Sequence, residues 1–197
     1  MHAIPVRVAG ALGWGGMAAV DPRPLVGEPL SLDLLNTRWR LTAVTEDLLT
    51  DVAGLAVWLR SNGLDERCAA DQATLDAVLQ ARDALAEAVR DPAHPSREAL
   101  ARVNAVLARG RLRRGLTAEG PAEEAEPDSP AWLPAWLAVD DYLRLLSIDP
   151  GRVRACANEG CLLHFFDTSQ NRRRRWCSMA VCGNRAKAAR HYARARR

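Results

Sequence analysis

No stretch of this 197-residue chain is apolar enough, for long enough, to cross a membrane as a helix. Aromatic residues make up only 5% of it, and much of its 48% hydrophobic content is Ala, Leu and Val. That bias disfavours an all-β architecture and favours helices. Catalytic signatures are missing as well: there is no G-x-S-x-G, no P-loop and no dinucleotide-binding glycine fingerprint. The chain therefore reads as a non-enzyme with no catalytic residue. Cysteine is too scarce and too unevenly placed for a disulfide framework, because there are five and four of them cluster. Clustering points to a reducing, cytoplasmic compartment and a metal. Residues 8–20 faintly imitate a secretion signal, but glycines interrupt them. Residues 1–24 are expected to form a poorly structured leader.

What is present is distributed asymmetrically. The formal net charge is +3. From Arg152 onward there are 11 Arg and one Lys against Glu159 and Asp167, a local balance of 12 − 2 = +10, so the remainder carries 3 − 10 = −7. Such a split suggests a modular protein whose basic end seeks polyanions.

Periodicity gives residues 25–149 the pattern of a mainly helical α+β domain with a small sheet. Leu30, Leu32 and Leu34 alternate with Ser31 and Asp33, which predicts a half-buried strand ending at Asn36-Thr37. A helix is expected from near Thr50, with Val52, Leu55, Ala56 and Leu59 on one face, Trp58 beside it and Gly63 as its stop. A second helix fits residues 71–90. A third is capped by Ser96 and presents Leu100, Val103 and Leu107 for burial. Arg111 to Leu116 suits a short strand, whereas the acidic, proline-rich residues 117–130 read as a loop. A last helix runs from about Ala131 to Ser147, with Asp140-Asp141 on its surface. Asp149-Pro150-Gly151 is the expected hinge into residues 150–197, and Cys68 is expected to be a surface or part-buried thiol.

The chemistry is concentrated after that hinge. Cys156/Cys161 and Cys177/Cys182 share one internal spacing, and four thiolates satisfy a tetrahedral zinc ion completely. One closed, structural zinc ion is the expected cofactor, with no open position for substrate. His164 to Asp167 and Arg173 to Trp176 are expected to pair as a hairpin, followed by a helix whose first turn supplies the last ligand. That order is treble-clef-like. Arg172, Arg173, Arg174 and Arg175 would line the hairpin, and Lys187, Arg190, His191, Arg194 and Arg197 fall on one face of the helix, opposite Ala186, Ala189 and Ala193. This surface is the candidate DNA contact. Arg185, and Asn184 beside it, are assigned to structural support of the metal, whose thiolates carry excess negative charge.

These residues resemble the CGNR zinc finger family, which takes its name from a segment matching Cys182-Gly183-Asn184-Arg185. The resemblance includes the Cys-x4-Cys pair, Phe166-Asp167, Arg174-Arg175-Trp176-Cys177-Ser178 and Arg185-Ala186-Lys187. Proteins of that family commonly carry an N-terminal ABATE domain, and P-L-S-L-D-L-L-N-T together with the W-L-x-x-x-G-L segment at Trp58 to Leu64 looks like one. The resemblance implies a stress-induced bacterial transcription regulator whose first domain senses a small-molecule effector. Asp33, Asn36, Thr37 and Arg38 are then the candidate ligand residues; alternatively, Asp33 and Asn36 satisfy local backbone groups. The runner-up function is an adaptor whose finger grips RNA or a protein.

Overall fold

Five of the six residues of helix α1 (Leu30–Leu35) are buried, including the polar Ser31 and Asp33. This computed structural model describes residues 20–188. Readings on residues 1–19, and those on Ala189, Arg190, His191, Ala193, Arg194 and Arg197, lie outside the described residues. The strand expected at Leu30–Leu34 is a helix instead. Alternation signals a strand only when its polar residues face water, and here they face protein. The N-cap of α1 is Pro29, which has no side-chain acceptor. A carboxylate from a distant helix takes that role: the backbone N–H and hydroxyl of Ser31 donate to Asp141 Oδ2 at 3.0 and 2.8 Å. Asp141 is thus buried, not part of the helix surface where it was expected.

After α1 come two short paired strands, β1 (Arg38–Trp39) and β2 (Glu46–Asp47). Three helices follow where the pattern predicted them: α2 (Val52–Ser61), α3 (Gln72–Ala88) and α4 (Arg97–Leu107). Each begins at a side-chain cap, with Asp51, Asp71 and Ser96 accepting from Gly54, Thr74 and Ala99. Their apolar faces differ in detail from the expected ones. Trp58 is fully buried, whereas Val52 and Leu100 are exposed. Cys68, expected nearer the surface, is buried in the core.

The acidic segment read as a loop is strand β4 (Gly120–Pro127), paired antiparallel with β3 (Gly110–Thr117). Its glutamates sit opposite arginines: the register sets Arg111 against Glu126, Arg113 against Glu124 and Arg114 against Glu123. Opposite charges across a ladder favour pairing, a compensation that composition alone does not show. Helix α5 (Leu133–Ile148) then crosses the core against α1 and α3. Its Trp136 donates to the Leu107 carbonyl at 3.0 Å and lies over Gly110, where an added Cβ would come within 2.9 Å of the ring.

The segment expected as a hinge is a 3₁₀ turn (Pro150–Arg152) tied down on both sides. Asp149 accepts from the Gly151 N–H at 2.9 Å and pairs with Arg172 at 2.8 Å. Beyond it, β5 (Val153–Ala155) pairs antiparallel with β6 (His164–Phe166). The hairpin partner of β6 is therefore β5, and residues 173–176 carry no strand assignment. One apolar cluster contains Leu32, Leu85 and Val139 from the helices and Leu163, Phe165 and all three buried metal-site cysteines. The molecule is α+β and mainly helical, with its cysteine-rich end built onto the helical core.

Candidate metal centre and its basic rim

The loop between β5 and β6 forms the first ligand pair. Cys156 donates its N–H to the Leu163 carbonyl at 2.9 Å, and Cys161 donates to the Asn158 carbonyl at 3.0 Å. The turn between them needs Gly160, whose φ is +77°. Of the second pair, Cys177 lies just before and Cys182 within a π-helical turn (Met179–Gly183), capped by the Ser178 hydroxyl accepting from Val181 at 3.0 Å. Its backbone continues into a helix over residues 184–188. The four Sγ atoms lie within 4.8 Å of one another. A tetrahedral tetrathiolate with zinc–sulfur bonds of about 2.3 Å has edges of about 3.8 Å, so the donor set fits such an ion with a small contraction.

Protein donors already point at the sulfurs. Asn158 Nδ2 lies 3.3 Å from Cys182 Sγ, and the Cys177 N–H lies 3.4 Å from Cys156 Sγ. These are the contacts expected around sulfur carrying negative charge. As thiols, three of them hold their protons unequally. Donation from Cys177 pulls Cys161 down to about 5, while the same contact pushes Cys177 up and burial raises Cys156.

The ligand loops are held from the helical core. Asn36 binds both backbone groups of His164, donating to its carbonyl at 2.9 Å and accepting from its N–H at 2.8 Å. The amide therefore acts as one more rung beside β6. Glu28 accepts from the Phe166 N–H at 3.0 Å and from Arg174 at 2.9 Å. Arg40 donates to the Gly160 carbonyl at 2.8 Å, inside the first knuckle. Behind the hairpin, buried Asp167 accepts from the Ser169 N–H at 3.0 Å, the Ser169 hydroxyl at 2.5 Å, and the Arg174 N–H at 3.1 Å, and pairs with Arg154. Burial would raise its pKa, but these bonds outweigh that and hold it below the usual carboxylate range.

The arginine run separates into two kinds of residue. Arg174 is committed to structure: it pairs with Glu28, donates to the Cys177 carbonyl, and stacks on Phe165 at 4.2 Å. Arg172 has a left-handed φ of +53° and pairs with Asp149. Arg173 and Arg175 are exposed, with no carboxylate partner among the described residues; Arg175 lies 5.2 Å from the Trp176 ring. Together with Arg174, Trp176, Ser178 and Met179, they line a cleft of about 290 Å³ beside the metal site. Lys187 is also exposed. Arg185 donates to the Leu41 carbonyl at 2.9 Å, so it ties the finger to the loop after β1; Asn184, exposed, ends the π-turn.

Three of the four candidate ligand residues are occupied internally. Asp33 Oδ1 accepts from Arg23 at 2.6 Å, Trp58 at 3.1 Å and Asn62 at 3.0 Å, and Oδ2 accepts from the Gly27 N–H at 3.1 Å. Asn36 holds His164 as described, and Thr37 donates to Leu34 while accepting from Arg82 at 3.0 Å. Only Arg38 keeps a half-exposed side chain. Glu28, Arg40 and Asn158 carried no sequence signal of their roles, because their partners are remote in the chain. Asp167 belongs to the Phe166-Asp167 pair of the zinc-finger resemblance and could have been suspected there.

Two family models match the chain. Residues 28–148 match ABATE, described as "Putative stress-induced transcription regulator", and residues 152–195 match the CGNR zinc finger. No curated protein matches the chain.

Proposed function

The chain belongs to the family of ABATE-domain proteins and carries a CGNR zinc finger, and from that premise we propose that it is a cytoplasmic DNA-binding transcription regulator. The observation that carries this reading is the cleft of Arg173, Arg175 and Trp176 beside the cysteine cluster, on the segment with a charge balance of +10. Unpaired guanidinium groups at a surface are suited to phosphate neutralisation. Cys156, Cys161, Cys177 and Cys182 would hold one zinc ion, which supplies fold stability and, with four sulfurs bound, no open position for catalysis. The reading therefore includes no turnover. A small-molecule effector acting on the helical domain would reach the finger through the contacts of Asn36, Glu28 and Arg40.

The test is salt-dependent binding to duplex DNA. Replacing Arg173, Arg175 and Lys187 together by Gln should lower affinity and flatten the slope of log K against log salt by up to about 2.7. An unchanged slope removes these residues from the interface. Stronger binding to single-stranded RNA of the same sequence would favour the adaptor reading. No membrane partner is proposed; among the described residues, no helix is long and apolar enough to cross one.

A further inference from the structure

Arg82 and His164 each leave one buried polar atom without a hydrogen-bond partner, Nε of the arginine and Nδ1 of the histidine. Both residues line the same cleft, of about 230 Å³, between the helical domain and the metal-binding hairpin. Leu35, Ala86 and Leu162 supply its apolar wall, and Arg38 and Asp83 its charged rim. Buried polar groups are rarely left unpaired in folded proteins, and two around one cleft call for a partner that enters it.

The geometry of Arg82 fixes which group that partner presents. Its Nη1 and Nη2 bind Asp47 at 2.7 and 2.9 Å, and Nη1 also reaches Thr37. The guanidinium is therefore locked in place, and Nε is a preoriented donor. Arg38 lies 3.5 Å from the same Asp47 carboxylate, so two guanidinium groups share one acid. His164 is held through both of its backbone groups by Asn36. Burial lowers its pKa, which favours the neutral ring and leaves Nδ1 able to donate or accept according to tautomer.

We propose that this cleft binds a small carboxylate with an apolar body, of the size of a branched six-carbon acid. The carboxylate accepts from Arg82 Nε and the Arg38 guanidinium, and the body covers Leu35, Ala86 and Leu162. The volume lies below the roughly 300 Å³ at which pockets for drug-sized ligands begin, which keeps the ligand small. Asp83, exposed on the rim, is the partner for an ammonium group. An α-amino acid and a plain carboxylic acid thus share the chemistry that the cleft recognises. His164 lies three residues beyond Cys161, so the ligand would touch the metal-binding hairpin directly. This assigns a site to the effector control proposed above and rests on that reading only for its biological meaning, because binding is measured without DNA.

The experiment titrates 4-methylpentanoate, leucine and 4-methylpentanamide into the full, zinc-loaded chain. The readout is NMR shifts of the His164 imidazole and the Leu162 methyl groups. Saturable shifts are expected from at least one carboxylate, with the amide weaker by at least about tenfold. Arg38→Gln should cost a similar factor, and Ala86→Phe, which covers the cleft from its exposed edge, should abolish binding while the remaining spectrum stays native. A leucine advantage lost in Asp83→Asn assigns an amino acid; tighter binding of 4-methylpentanoate assigns a plain acid. The proposal is overturned if neither carboxylate produces a saturable shift, if the amide binds equally well, or if both variants bind undiminished. DNA affinity measured in parallel keeps failure here distinct from failure of the regulator reading.

Discussion

Two arginine-rich segments, Arg111–Arg114 on β3 and Arg172–Arg175 beside the cysteines, meet opposite fates. On β3, Arg111, Arg113 and Arg114 each have a glutamate of β4 within ion-pair distance. The hairpin satisfies its own charge and projects little net field. In the finger, carboxylates hold Arg172 and Arg174, while Arg173 and Arg175 have none among the described residues. Arginine content therefore does not identify a polyanion-binding surface. What decides is whether the fold has already placed an acid opposite each guanidinium.

The largest break in this comparison comes from the metal. Cys177→Ser should remove bound zinc altogether, as native mass spectrometry would show, and destabilise the finger by several kcal/mol (roughly 5 or more). Because Cys177 shares its core with Phe165 and the helices, urea unfolding should then show loss in the helical domain too; an unchanged helical transition would mean that the two parts fold independently. Next in size is Asp33→Ala, which leaves Arg23 buried beside a vacated partner and should cost about 3–5 kcal/mol. Asn36→Ala removes two hydrogen bonds to His164 and should cost about 2 kcal/mol, read in the same assay. A loss below about 0.5 kcal/mol would show that Asn36 does not hold the finger in solution.

The comparison itself is tested by exchange of charge. Gln at Arg111, Arg113 and Arg114 should leave the DNA salt slope unchanged, whereas Gln at Arg173, Arg175 and Lys187 should flatten it. Both triple variants alter exposed positions, so each should move stability by about 1 kcal/mol or less. Equal effects on DNA binding would show that bulk charge, and not its placement, governs the interaction.

The smallest effect expected is on pH dependence. Burial holds the His164 pKa below its ordinary value of 6.5. The unfolded chain then binds the proton more readily, so this contribution is complete above pH 6.5 and declines as pH falls toward the lower folded value. Urea midpoints at pH 7.5 and 5.5 should differ more in the wild type than in His164→Gln. Comparing the two proteins separates the histidine's contribution from protonation of the cysteines, which both share.

The sequence was most legible where local chemistry decides the outcome. Ser96 announces a helix start because an N-cap acts within three residues. The four cysteines announce a metal site because two short spacings reveal which residues can converge. It was least legible at α1, where Ser31 and Asp33 mimicked the wet face of a strand, and at β4, where Glu123, Glu124 and Glu126 mimicked a solvated loop. In both places a polar residue is compatible with its position only because a partner arrives from elsewhere in the chain.

By itself, then, the sequence determined a mainly helical α+β protein, the approximate places of the helices after α1, the four cysteines that converge and the excess of positive charge at its end. Tertiary structure alone decided that the finger is bound to the helical core through Asn36, Glu28 and Arg40. It also decided that Asp33, Asn36 and Thr37 serve the interior, and that Arg173 and Arg175, unlike Arg174, have no acid partner among the described residues. The physical reason is common to all of these. Hydrophobic period and capping act over a few residues, whereas the cost of burying a polar group depends on partners that only the fold brings within 3 Å or so.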